Sequence, residues 1–112
     1  MRRDELYLRD ILEAADRIAE FLASRADFDS DLVRSAVAQK LTIIGEAAAR
    51  VSVDLRARRP EVPWAKVVAF RNILVHEYFG IDWDVVRRAA EREVPLLREQ
   101  IAATLADEFR PE

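Results

Sequence analysis

The sequence predicts an all-α fold, an antiparallel bundle of four to five helices, on three observations. Alanine, leucine, arginine and glutamate dominate the 112 residues, and all four are strong helix formers. Two glycines and four prolines are too few for a β-rich chain, which needs frequent turns. Apolar residues recur at three- and four-residue steps through most of the chain. With 51% apolar and 35% charged residues, positions 1–112 read as a single domain that buries well over half of its unfolded surface.

The first helix is expected over about residues 4–26. Leu8, Ile11, Leu12, Ala15, Ile18, Ala19 and Leu22 form its apolar face, and Asp4 is its candidate N-cap. The polar cluster Asp27-Phe28-Asp29-Ser30 ends it and offers Asp29 or Ser30 as the next N-cap. A second helix over residues 31–53 turns Val33, Val37, Leu41, Ile44, Ala48 and Val51 inward. Gly45 in its middle costs about 1 kcal/mol relative to alanine. Beside Ala47, Ala48 and Ala49 it reads as a place where another helix approaches closely.

Pro60 and Pro63 make residues 58–63 a loop, because each removes an amide donor and biases its predecessor to extended geometry. Pro63 suits the first turn of a third helix, residues 64–78, with Gly80 as its terminating C′ glycine. Asp82 caps a fourth helix. Pro95 then either kinks the stretch 83–109 or opens a fifth helix near its first position, and Leu97, Ile101, Leu105 and Phe109 carry the apolar stripe onward.

Several function classes drop out on composition. Without cysteine there is no disulfide scaffold and no thiolate metal site, and one histidine cannot build a His-rich metal site within one chain. No metal or cofactor is expected. The apolar runs are too short to span a bilayer and MRRDELYLRD lacks a signal-peptide apolar region, so a soluble cytoplasmic protein with no membrane association is the default expectation. A net charge of −3 argues against a protein that coats nucleic acid. The charge is uneven, however. Residues 1–31 hold five arginines against nine carboxylates, whereas residues 50–76 hold Arg50, Arg56, Arg58, Arg59, Lys66 and Arg71 against Asp54 and Glu61. The excess is either ordinary solvated arginine or an anion-facing strip beside the only histidine.

That histidine lies in Phe70-Arg71-Asn72-Ile73-Leu74-Val75-His76-Glu77-Tyr78-Phe79-Gly80. On an ideal helix with Arg71 at 0°, Asn72 falls at about 100°, His76 at about 140°, Glu77 at about 240° and Tyr78 at about 340°. Phe70, Ile73 and Leu74 take the sector from about 200° to 300° and can face the core. A lone histidine near a helix C-terminus often only satisfies the last carbonyls, and an arginine stem can simply cover apolar surface. Against that stands a permanent cation, an amide and an imidazole within six residues. These suit metal-free phosphodiester chemistry. An imidazole can take a proton from a ribose 2′-hydroxyl or give one to a leaving oxygen, and a guanidinium can hold the scissile phosphate in a bidentate grip. Within one chain the two groups diverge by about 140°, which is poor for convergence on one phosphate. Two copies facing across a two-fold axis would repair this, so a composite site at a homodimer interface is expected.

Arg71-x-x-x-x-His76-x-Tyr78, with Asn72 after the arginine, resembles the motif of HEPN-domain ribonucleases, and more closely the HepT toxins of HepT–MNT toxin–antitoxin pairs. The resemblance extends over Ile43-Ile44-Gly45-Glu46-Ala47, Val62-Pro63-Trp64, Phe70-Arg71-Asn72 and Val75-His76-Glu77-Tyr78-Phe79-Gly80, and so covers nearly the whole chain. It implies a HEPN-like homodimeric helical bundle, a type VII toxin that cuts RNA without a metal. Arg71 and His76 would be catalytic, and Asn72 would line the cleft beside them. Tyr78 matches the tyrosine that the family's partner, an MNT-type nucleotidyltransferase antitoxin, modifies with AMP to silence the toxin. A different reading keeps the bundle but not the catalysis, as a nucleotide- or substrate-binding subunit accompanying a small nucleotidyltransferase. Glu46 reads first as a structural salt bridge within the bundle, with a contact to the motif arginine as the alternative, and it is left out of catalysis.

Overall fold

Helix α1 (Arg2–Ala23) begins ahead of the residue expected to cap it. Asp4 lies in its first turn, 4% exposed, and its carboxylate accepts hydrogen bonds from the Ser52 backbone N–H (2.9 Å) and hydroxyl (2.6 Å). Its acceptors are therefore committed across the bundle, not to its own helix. Ser52 passes the capping on: its hydroxyl oxygen accepts from the Leu55 N–H (3.2 Å) and opens a short helix, α3 (Val53–Arg58). Helix α2 (Asp31–Arg50) consequently stops three residues before the end that periodicity predicts. Ser30 occupies its N-cap position. The computed structural model describes residues 2–24 and 27–109, so the expected first-helix end at Ala26 lies outside them.

After α3, Trp64 donates its indole N–H to the Arg59 carbonyl (3.0 Å), and the Pro63 carbonyl accepts from the Val67 N–H (3.0 Å) to start α4 (Trp64–His76). Pro63 thus sits at the N-cap, one residue before the first turn. The helix ends at His76, two residues short of the predicted end. Glu77 leaves helical geometry (φ −125°, ψ 35°), and Tyr78–Gly80 form a 3₁₀ turn closed by the Gly80 N–H on the Glu77 carbonyl (2.9 Å). Gly80 does not adopt the left-handed conformation of a C′ glycine.

Asp82 caps α5 (Trp83–Arg88), accepting from the Asp84 N–H (3.0 Å). The chain then runs through a π-helical turn, Ala89–Glu93, into α6 (Val94–Glu108) without leaving helical geometry. Pro95, in the first turn of α6, accounts for the detour. In a regular helix its ring would collide with the carbonyl four residues back, and the wider turn, with the Val94 N–H on the Ala89 carbonyl, avoids this.

The result is an all-α bundle. α1 packs against α2 and α6, and α2 packs against α4, so α2 is sandwiched and α4 is the outer layer. Leu8, Ile11, Ile18, Leu55 and Ile101 are fully buried, each worth about 1.5–3 kcal/mol of burial. Among the described residues, no helix is long and apolar enough to cross a membrane.

Gly45 sets how close α4 comes to α2. A Cβ there would lie 2.1 Å from the Arg71 Cβ and 2.7 Å from its Cγ, closer than real atoms approach. The glycine is where a second helix packs, as its alanine-rich setting indicates. Gly45→Ala would gain about 1 kcal/mol of helix propensity but forces the stem of Arg71 outward, an overpacking cost of about 1–3 kcal/mol. The variant is expected to have a lower urea midpoint than the wild type. A raised midpoint would show that the two helices are not in this contact.

Candidate active site

Helix α4 divides cleanly by burial. Trp64, Val67, Phe70, Arg71 and Leu74 are buried or half-buried and share one side, against α2. Ala65, Ala69, Asn72, Ile73 and His76 are exposed on the other. Ile73 was expected to face the core with Phe70 and Leu74, but it lies beyond the edge of the contact with α2 and is 45% exposed. Because the helix is unbroken from Trp64 to His76, Arg71 and His76 are separated by about 140° and about 7.5 Å along the axis.

Arg71 is held from two directions. Its Nη1 lies 2.7 Å from Glu46 Oε1, and its Nε donates to Asn72 Oδ1 at 2.8 Å. Its side chain is only 18% exposed, while that of Glu46 is 47% exposed. A pair with so exposed a carboxylate contributes on the order of 1 kcal/mol or less to stability, so orientation is its main consequence. Of the five guanidinium N–H groups, the two on Nη2 have no partner among the described residues. The arginine thus keeps a free edge that fits a phosphate oxygen.

His76 is the last residue of α4 and exposed, and among the described residues its ring makes no hydrogen bond. It is not spent on satisfying the helix's last carbonyls. Asn72 is also exposed and touches Arg71 directly. Tyr78 does not fall where the helical wheel puts it, since the helix ends before it. It sits in the 3₁₀ turn, 38% exposed, edge-on to Trp83 (ring centroids 5.9 Å apart) and to Phe79 (6.0 Å). Trp83 in turn lies under the guanidinium of Arg34 (5.4 Å).

The basic excess of residues 50–76 is largely neutralised by acids distant in sequence. Arg58 pairs with Glu108 (3.0 Å), Arg59 with Asp107 (3.0 Å), Lys66 with Glu93 (3.7 Å) and Arg71 with Glu46. Only Arg50 and Arg56 of the six have no carboxylate partner among the described residues. The strip is mostly structural, and counting charges in a sequence window misses this because the partners lie on α2, α6 and the π turn. Among the described residues, no group of three His, Asp or Glu side chains is arranged to hold a metal ion.

Two groups outside the motif touch its residues. Glu46 contacts the arginine, one of the two readings its sequence position leaves open. Trp83 backs Tyr78, and nothing local in the sequence marks it.

Comparison with known proteins identifies the family of the chain as a whole. Residues 11–104 match the family described as Ribonuclease HepT-like. The chain is 36% identical over 104 residues to a Methanocaldococcus jannaschii protein named "Putative RNase MJ1380", covering 89% of this chain and 95% of that one. It is 37% identical over 95 residues to "Probable ribonuclease HepT" of Thermococcus cleftensis, covering 82% and 86%. It is 32% identical over 111 residues to "Putative RNase TTE0752" of Caldanaerobacter subterraneus subsp. tengcongensis, covering 96% and 99%. No solved structure matches the chain. A helical bundle bearing Arg71, Asn72 and His76 on one outer helix, matched to that family over most of its length, belongs to the HepT-like ribonuclease family.

Proposed function

We propose that the protein is an RNA endonuclease that acts as a homodimer, needs no metal, and is the toxin of a toxin–antitoxin pair. The observation that carries this reading is that α4 points its arginine inward and presents an exposed, unpartnered imidazole outward. One chain therefore offers half a site. The outward face of α4 also favours a second copy. Ala65, Ala69, Asn72 and His76 follow one another at steps of four, three and four, which would let another helix approach closely. Ile73 and Val75 beside them are 45% and 49% exposed, and Phe79 is fully exposed. Pairing α4 with α4 would cover this apolar surface and bring two copies of His76 into one cleft.

The chemistry then follows from the groups. One His76 takes the proton of a ribose 2′-hydroxyl, whose oxygen attacks the adjacent phosphorus. The phosphorus–5′-oxygen bond breaks, and the other His76 donates a proton to the departing oxygen. The products are a 2′,3′-cyclic phosphate and a 5′-hydroxyl. Arg71 stabilises the charge that builds on the phosphoryl oxygens, and Asn72 holds its Nε side. The purified protein is expected to cut single-stranded RNA in the presence of a chelator and to leave those ends, with His76→Ala lowering the rate by at least about 100-fold at unchanged stability. A folded His76→Ala protein that cuts as fast as the wild type would overturn the assignment. RNA binding without cleavage by an intact wild-type dimer would favour the non-catalytic partner-subunit reading.

Tyr78 is the proposed point of control. It stands two residues beyond His76 on an exposed turn, where a nucleotidyltransferase antitoxin could reach its phenol. The phenolic oxygen would attack the α-phosphorus of ATP and release pyrophosphate. Each AMP so attached adds bulk and negative charge beside the cleft, which opposes RNA electrostatically. Mass spectrometry of the protein co-expressed with such an enzyme is expected to find AMP on Tyr78 and on no other residue. Modification elsewhere, or none with an active partner, would remove Tyr78 from the scheme.

A further inference from the structure

The motif residues leave Glu46 unexplained. Its carboxylate is half-exposed, so burial does not force a partner on it, and a negative charge within 2.7 Å of a phosphate-binding arginine opposes the substrate. A bundle selected only for binding RNA would do better with a neutral residue there. The surrounding geometry supplies the compensation. At Gly45 the two helices nearly touch, so the Arg71 Cβ and Cγ are seated directly on the α2 backbone. Glu46, the next residue of α2, takes Nη1, and Asn72, the next residue of α4, takes Nε. Stem, one edge and one corner of the guanidinium are thereby fixed, and Nη2 is left over.

We propose that Glu46 is the positioning residue for Arg71. It trades some phosphate affinity for a guanidinium already aimed with Nη2 toward the reacting phosphate. The inference rests on the ribonuclease reading given above. A misplacement of about 1 Å at a reacting group can cost on the order of 100-fold in rate, so the effect belongs in kcat. Glutamine retains an oxygen acceptor for Nη1 without the charge, whereas alanine removes both.

The test compares wild type, Glu46→Gln and Glu46→Ala by RNA cleavage kinetics and by relaxation of the Arg71 Nε–Hε NMR signal. Glu46→Ala is expected to lower kcat by about 10- to 100-fold with KM unchanged or reduced, and to give Arg71 the fast side-chain motion of an exposed arginine. Glu46→Gln is expected to hold Arg71 rigid and to retain most of kcat with a lower KM. An Arg71 signal equally rigid in Glu46→Ala overturns the proposal, and so does an unchanged or increased kcat in that variant. If Arg71 loosens in Glu46→Ala but the wild type itself cuts no RNA, the anchoring role stands and the ribonuclease reading falls.

Discussion

The close approach of α4 to α2 at Gly45 governs the site. With no side chain at that position, the backbone of α4 settles against α2 and the stem of Arg71 takes the space a Cβ would fill. Everything polar about the arginine follows. Glu46 is the next residue on α2 and meets Nη1, while Asn72 is the next on α4 and meets Nε. The same contact decides which side of α4 remains outside. Trp64, Val67, Phe70 and Leu74 join Arg71 against α2, and helical geometry then leaves Ala65, Ala69, Asn72 and His76 facing solvent.

This division gives the proposed chemistry its form. An arginine gripped at the helix–helix contact and an imidazole standing free on the far side cannot close on one phosphate from a single rigid helix. Apolar groups at Ile73, Val75 and Phe79 are exposed near that imidazole, and the proposed pairing of α4 with α4 would cover them. The general basic surface does not supply the missing affinity, because acids on other elements pair with Arg58, Arg59 and Lys66. Recognition of RNA on this reading falls to a small cleft and not to an extended electrostatic face.

Much of the fold was legible because it rests on local rules. The apolar repeat of α1 and α2, the cap at Asp82 and the close-packing glycine are all set by residues within a turn or two of the feature. The misreadings share a different origin, a partner remote in sequence or a change of helical register. Asp4 looked like the cap of its own helix, and it is Ser52, 48 residues away, that claims its carboxylate. That claim also breaks the second helix early and creates α3. A helix continued past His76 would put Tyr78 on the arginine's side, whereas α4 stops at His76. The arginine and histidine were readable as a motif, while the choice between the two readings that the sequence left open for Glu46 needed the α2–α4 contact, which sets it against Arg71.

The most direct measurement of the central claim, that the site is shared between two chains, uses a covalently linked tandem dimer. One half is wild type and the other carries Arg71→Ala and His76→Ala. A shared site that needs both imidazoles predicts RNA cleavage at least about tenfold below the wild-type tandem, because the cleft then holds a single imidazole. Retention of half the wild-type activity would mean that each chain carries a complete site, and would contradict it.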